Sequence, residues 1–150
     1  MRVEASDAEF ESRVRASFGQ QRVMNTMGAQ LTRVAPGEVD IELPFDEGLT
    51  QQHGFLHAGV VTTVLDSACG YAAYSLMQPG AEVLAIEFKV NFLAPARGEK
   101  LVARSRVVRA GRTITVCQAD GVMIRGADEV HVATMVATMI SVRGREETPG

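Results

Sequence analysis

The stretch from residue 58 to residue 77 restricts the fold of this chain more than any other feature. It has the length of about five helical turns, and a Gln78-Pro79-Gly80 stop follows it. Nine of its twenty residues are Ala, Gly, Ser or Cys, and apolar side chains lie nearly all round the predicted helix. One sheet covers only one side of such a helix. We therefore predict a curved sheet wrapped around it and a partner subunit that covers the rest.

The remaining pattern completes an α+β domain with mainly antiparallel strands. Residues 7–19 predict a short amphipathic helix capped by Ser6 or Asp7, since apolar residues recur four positions apart. Residues 29–34 and 38–43 flank a Pro-Gly turn and predict a hairpin. Short links after the central helix favour antiparallel neighbours. The four strands predicted there are residues 82–93, 99–109, 113–124 and 129–142.

Composition places the chain among ordinary globular proteins. Its 150 residues predict one domain, 1–150, and a content of 46% hydrophobic and 22% charged residues excludes disorder. The net charge of −3 argues against nucleic acid as a partner, and Asp66 interrupts the longest apolar run, which argues against a membrane span. Two cysteines and an N-terminus without a hydrophobic signal segment favour the cytoplasm. We expect residues 144–150 to form a frayed tail.

Charge is distributed unevenly along the chain. Residues 97–125 contain seven basic side chains against Glu99 and Asp120, an excess of five positive charges. Such a segment could hold an anionic ligand, or it could be a solvated face of the sheet.

Asp66 is the only charged residue between Glu47 and Glu82. An isolated carboxylate within an apolar helix is costly unless it is hydrogen-bonded or faces a cavity. Desolvation should raise its pKa, which suits a general base. The alternative is an exposed position on the helix, but its neighbours provide no polar stripe.

The start of the central helix offers a second candidate group. The backbone amides of Ala58 and Gly59 are expected to be unpaired at the positive end of the helix dipole, where they could stabilise an oxyanion. His57 could cap this helix or contact a substrate directly. His57 and Asp66 are nine residues apart, roughly 13 Å and about 900° of helical rotation, and therefore lie on opposite faces. A site that uses both must combine two subunits.

Several runs of residues carry a family resemblance. Residues 51–59 (QQHGFLHAG), followed by Asp66 and Gly70, together with 87–96 (EFKVNFLAPA) and 108–113 (VRAGRT), resemble the hotdog-fold acyl-CoA thioesterases of the phenylacetate-catabolism (PaaI-like) type. The resemblance covers about residues 18 to 142. It implies a hotdog fold, in which a curved antiparallel sheet wraps a long central helix.

The same resemblance implies catalytic roles. Asp66 would attack the thioester carbonyl or activate water toward it. The amide of Ala58, beside Gly59 at the helix start of the other subunit, would bind the thioester oxygen. Gln51 would orient the carbonyl or the lytic water, and His57 would support that loop.

The resemblance also implies substrate contacts. Arg109 and Arg112 would meet the phosphates of coenzyme A, in line with the basic segment, and Ala85 and Asn91 would contact substrate. The expected substrate is an aryl or medium-chain acyl-CoA. No metal and no separate cofactor are expected, and the protein is expected to be a homodimer or a homotetramer.

Three residues depart from the family pattern. Gln51 stands where Asn is usual, Ala58 replaces the first Gly of a pair, and Ala85 stands where many relatives have Ser or Thr. The loss of a hydroxyl at Ala85 keeps open a non-catalytic acyl-CoA-binding protein. A dehydratase or hydratase acting on acyl thioesters is the other alternative, although only His57 offers a second ionisable partner for Asp66.

Overall fold

The computed structural model describes residues 3–143, which form three α-helices and one six-stranded sheet. Two helices lie near the N-terminus, α1 (Phe10–Gln20) and α2 (Arg22–Met27), and the central helix α3 spans Ala58–Tyr74. The strands are β1 (Gln30–Ala35), β2 (Glu38–Pro44), β3 (Ala81–Phe92), β4 (Lys100–Ala110), β5 (Ile114–Arg125) and β6 (Asp128–Arg143).

All strand pairs are antiparallel, and the strand order is β1-β2-β4-β5-β6-β3. The predicted hairpin and the four later strands are confirmed to within one residue at each end. The expectation that short links join neighbours is wrong for β3 and β4, because β5 and β6 lie between them. Residues 93–99 cross that gap of about 14 Å, since seven extended residues reach roughly 23 Å.

The sheet curves around α3, which contacts β2, β3, β4, β5 and β6. Gly121 on β5 lies under the helix, in van der Waals range of Leu65 on α3. The hydroxyl of Ser105 on β4 lies 2.7 Å from the carbonyl oxygen of Ala68 and so ties the helix to the sheet. The prediction of a curved sheet around the central helix is confirmed. The buried residues of α3 are Val61, Val64, Leu65, Ser67, Ala68, Cys69, Tyr71, Ala72 and Ala73.

The helix predicted for residues 7–19 begins later than expected, at Phe10. Neither Ser6 nor Asp7 caps it: the carboxylate of Asp7 accepts a hydrogen bond from the Glu9 amide and pairs with Arg13 at 2.6 Å. The following helix α2 was not predicted, because six residues are too few to establish a helical period.

The central helix ends at Tyr74 rather than at residue 77. The hydroxyl of Ser75 donates a hydrogen bond of 2.7 Å to the carbonyl of Ala72 and also accepts one of 2.8 Å from the Gly37 amide. These bonds tie the end of α3 to the β1–β2 turn, so the chain turns before the Pro-Gly stop. The predicted frayed tail, 144–150, lies outside the described residues.

A bulge in β3 sets which of its side chains face the helix. The register shifts between Ala85 and Glu87. Ala85 pairs with Met139 and Phe88 pairs with Ala137, and both of these partners are buried beneath α3. Paired residues of antiparallel strands share a face. The helix-facing residues beyond the bulge are therefore Phe88, Val90 and Phe92, and the outward-facing ones are Glu87, Lys89 and Asn91.

The strand β3 forms one edge of the sheet, and β6 is its one strand partner within residues 3–143. Four of its large apolar side chains are exposed: Leu84, Ile86, Phe88 and Phe92. Within the same residues, no helix is both long and apolar enough to cross a membrane.

Candidate active site

Asp66 lines a cleft of about 530 Å³ between α1, α3 and the first residues of β3. Its Oδ1 atom is buried and accepts no hydrogen bond within the described part of the chain. Burial raises the pKa of this carboxyl group above its ordinary value. Asp66 is therefore a stronger base than an exposed aspartate, and it faces a space large enough for a ligand.

Helix α1 forms one wall of this cleft by running along α3 in the opposite direction. The paired contacts follow each other in order along α3 and along α1 and the residue after it. They are Gln21 Oε1 to Ser67 Oγ at 3.2 Å, Ser17 Oγ to Tyr71 Oη at 3.3 Å, and the Arg13 guanidinium 5.2 Å above the Tyr74 ring. The cleft thus has a largely polar wall that extends about 12 Å along α3 from Asp66 to Tyr74.

The start of α3 opens into a second cleft, of about 500 Å³. Nδ1 of His57 accepts a hydrogen bond of 2.8 Å from the Gly59 amide, so His57 caps the helix and, when neutral, carries its proton on Nε2. The expectation that the Gly59 amide is unpaired is therefore wrong. The Ala58 amide makes no hydrogen bond within residues 3–143. It is the donor left free at the positive end of the helix dipole.

Gln51 lines the second cleft and also closes its own loop. Its Oε1 atom accepts hydrogen bonds from the amides of His53 and Phe55, and its backbone amide donates to the Phe55 carbonyl at 2.8 Å. The side-chain oxygen is therefore engaged. The Nε2 group makes no hydrogen bond within the described residues, so Gln51 can donate to a carbonyl or a water molecule.

Asp66 and the His57–Gly59 segment do not meet within one chain. Asp66 shares its cleft with Val83 and Ala85 at the start of β3, whereas Ala58 shares the second cleft with Phe92 at the end of β3. The two clefts therefore lie at opposite ends of a twelve-residue edge strand.

The predicted substrate-binding residues are distributed differently. Ala85 lies in the cleft of Asp66. Asn91 lines neither cleft, because the bulge turns it to the outer face opposite Thr134. Arg109 and Arg112 also line neither cleft; Arg109 pairs with Val116 near the β4–β5 turn.

Comparisons with known proteins show the family of this chain. The family model described as the thioesterase superfamily matches residues 53–124. A crystal structure of a thioesterase family protein from Silicibacter pomeroyi is 53% identical, covers 90% of this chain and 99% of that one, and superimposes with a TM-score of 0.89. The chain belongs to the thioesterase superfamily. The prediction of a thioester-hydrolase family is confirmed.

Two curated proteins are similar at lower identity. A putative esterase of Halobacterium salinarum is 35% identical over 101 residues, which are 64% of this chain and 66% of that protein. Human acyl-coenzyme A thioesterase 13 is 29% identical over 91 residues, which are 60% of this chain and 64% of that protein. The chain thus matches about two thirds of the length of these relatives.

The PaaI protein of Escherichia coli has a similar fold. That structure is 18% identical, covers 91% of this chain and 95% of its own, and has a TM-score of 0.82. The predicted hotdog fold is confirmed.

The residues of α1 that border the Asp66 cleft were missed from the sequence. Arg13, Ser17 and Gln20 line this cleft, and their spacing of four and three residues places them on one helical face. This polar face of α1 is visible in the sequence, but the sequence alone does not indicate that it borders the cleft of Asp66. Within residues 3–143, no three His, Cys, Asp or Glu side chains come together in a set that could hold a metal ion.

Proposed function

We propose that this protein hydrolyses acyl-CoA thioesters to a free acid and coenzyme A. The observation that carries the proposal is the half-buried Asp66 carboxylate, whose Oδ1 has no described hydrogen bond and which lines a ligand-sized cleft. Similarity to acyl-coenzyme A thioesterase 13 and to a medium/long-chain acyl-CoA thioesterase of Escherichia coli supports the substrate class.

Asp66 can promote hydrolysis in two ways. As a general base, it takes a proton from water while the water oxygen bonds to the thioester carbon; the C–S bond then breaks, and the proton passes to the departing thiolate. As a nucleophile, its carboxylate oxygen displaces the thiolate to form an acyl anhydride, which water hydrolyses. In both routes the carbonyl oxygen becomes negatively charged and needs a hydrogen-bond donor.

That donor is the Ala58 amide of the partner subunit in a homodimer built on β3. The edge of β3 is open within the described residues and carries exposed apolar side chains. Antiparallel pairing of two β3 strands would place the start of one strand beside the end of the other. The Asp66 cleft of one subunit would then adjoin the Ala58 cleft of its partner.

The two clefts divide the substrate between them. The acyl group occupies the cleft beneath α1, whose length suits an aryl or medium-chain acyl group. Gln51, with its free side-chain donors, and His57 border the carbonyl in the second cleft. Arg109 and Arg112 provide positive charge for the coenzyme A phosphates at the sheet end where β3 begins, since Ala85, Met139, Thr115 and Ala110 lie in one row across the sheet.

The Asp66→Asn and Asp66→Ala variants test the proposal. Both should lose acyl-CoA hydrolysis by about 100-fold or more, because the base or nucleophile is removed. The measurement is thiol release from a panel of aryl and alkyl acyl-CoA substrates. Asp128→Asn, which removes an exposed carboxylate, should retain activity.

Circular dichroism establishes that each variant remains folded. Unchanged activity in a folded Asp66→Ala protein would exclude the proposed role. Binding of coenzyme A without thiol release by the wild-type protein would instead favour a non-catalytic acyl-CoA-binding protein.

A further inference from the structure

A groove of about 320 Å³ next to the second cleft contains Arg97. Gln51 lines both spaces, so the groove continues the cleft that begins at the Ala58 amide. Pro95 and Ala96 line the second cleft immediately before Arg97 in the chain. Arg97 therefore lies in the space adjacent to the cleft that Ala58 borders.

The backbone around Arg97 is held in place from two sides. Nε of Arg125 donates a hydrogen bond of 2.6 Å to the carbonyl of Arg97. The amide of Leu56 donates one of 2.8 Å to the carbonyl of Ala96. The backbone at Arg97 is thus held next to the loop that leads into α3.

The guanidinium of Arg97 is available for an anion. Nη1 lies 3.7 Å from the position of a Cβ at Gly54, which has a φ of +81°, so the guanidinium rests against backbone without a side chain. Within residues 3–143, Arg97 makes no ion pair and no side-chain hydrogen bond. Glu47 is the carboxylate that lines the same groove.

Four other basic residues of the segment 97–125 make side-chain hydrogen bonds, whereas Arg109 and Arg112 make none within the described residues. Lys100 pairs with Glu42 at 2.9 Å, and Arg104 pairs with Glu129 at 2.6 Å. Arg106 and Arg125 donate to neutral oxygens, those of Gln118 and of the 95–97 backbone. Carboxylates therefore neutralise Lys100 and Arg104, whereas Arg97 is exposed in the groove next to the second cleft.

We propose that Arg97 binds a phosphate of the phosphopantetheine or nucleotide part of the substrate and so selects phosphorylated carriers. The inference rests on the proposed thioesterase function. A guanidinium recognises phosphate through paired N–H donors. The neutral pantetheine arm would cross the second cleft, and its phosphate end would reach the groove.

Hydrolysis of three thioesters of the same acid tests the proposal: acyl-CoA, acyl-phosphopantetheine and acyl-pantetheine. Arg97→Gln should lower kcat/KM for acyl-CoA about tenfold through KM and leave acyl-pantetheine unaffected. A loss shared by acyl-phosphopantetheine identifies the pantetheine phosphate, and a loss confined to acyl-CoA identifies a nucleotide phosphate. Arg15→Gln, which removes an exposed arginine of α1, is the matched control.

Equal effects of Arg97→Gln on all three thioesters, or no effect on any, would overturn the proposal. Calorimetric titration with coenzyme A and with pantetheine gives an answer independent of catalysis. Arg97→Gln should weaken coenzyme A binding about tenfold, and unchanged affinity would refute the role of Arg97. Absence of hydrolysis by the wild-type protein would count against the proposed function alone.

Discussion

Within the described residues, the Asp66 carboxylate lacks the ion-pair partner that two acidic side chains at the N-terminal helix have. Asp7 pairs with Arg13, and Glu11 pairs with Arg15, whereas Oδ1 of Asp66 is buried without a hydrogen bond. An unpaired buried polar group costs about 1–3 kcal/mol in proteins. Burial of Asp66 therefore lowers the stability of the fold and makes its carboxylate a stronger base.

Asp66→Asn should raise the melting temperature at neutral pH. Because the pKa of Asp66 is raised in the folded protein, the native state binds its proton more tightly than the unfolded chain does. Wild-type stability is consequently lost as pH rises from the ordinary aspartate pKa of about 3.9 through the folded pKa. Asp66→Asn has no carboxyl group to titrate at this position, so its stability does not fall in this way.

Melting curves from about pH 4 to pH 7 provide the measurement. The gap between Asp66→Asn and wild type should widen as pH increases. Asp128→Asn controls for removal of a charge at an exposed position. A gap independent of pH would show that Asp66 titrates normally.

Among the elements, β3 combines a bulge with an exposed position at the edge of the sheet. Its bulge at Ala85 turns Phe88, Val90 and Phe92 toward the helix side. Helix α3 covers this strand incompletely, so Phe88 and Phe92 remain 42% and 50% exposed. An exposed apolar edge favours association with another strand.

Phe88→Glu should therefore weaken the proposed dimer. Phe88 lies near the middle of β3, where two paired strands would bring the introduced charges close together. We expect at least a tenfold increase in the dimer dissociation constant, measured by sedimentation equilibrium, together with loss of activity on dilution. Val23→Glu alters an equally exposed apolar residue of α2 and should leave association unchanged. An unaltered dimer in Phe88→Glu would place the interface elsewhere.

At the scale of the whole molecule, the two halves of the proposed reaction centre lie at opposite ends of one strand. Val83 at the start of β3 borders the Asp66 cleft, and Phe92 at its end borders the Ala58 cleft. Within a single chain, the proposed base and the proposed oxyanion donor are therefore too far apart to act on the same carbonyl. Two chains related by a twofold axis would create two complete sites.

A mixture of Asp66→Asn and Ala58→Pro chains tests this sharing. Proline removes the amide hydrogen at the first helical position, where it is well tolerated, and His57 already has the extended φ of −59° and ψ of 140° that proline requires of its predecessor. Each homodimer should be inactive. Random exchange should restore about a quarter of wild-type activity, since half of the dimers are mixed and each contains one intact site.

Ala58→Gly keeps the amide and should remain active as the matched control. Native mass spectrometry establishes that mixed dimers form. Mixed dimers without recovered activity would show that the site is not divided between subunits in this way.

Much of the fold was predictable because it depends on local pattern. The small-residue stretch indicated α3, and alternation with Pro-Gly punctuation indicated β1 to β6. Asp66 was found for a similar reason, since a lone charge in an apolar helix is visible in any sequence. The short helix α2 was missed because six residues do not establish a period.

Other features arise only when distant segments meet. The bulge that turns Asn91 outward depends on pairing with β6, and no local sequence signal marks it. The hydrogen bond from the Gly59 amide to His57 depends on the rotamer of the His57 side chain. The position of β3 at the far edge depends on a link that crosses two strands.

Local patterns in the sequence were enough to predict the strands, the central helix, the family resemblance and the solitary carboxylate, because periodicity and an isolated charge are properties of neighbouring residues. Three placements became visible in the folded chain alone: Asp66 lies beneath α1, Ala58 borders a separate cleft, and Arg97 lies in the groove next to that cleft. Those placements depend on strand order, register and helix packing. Such long-range contacts are fixed by the burial of the whole core around α3.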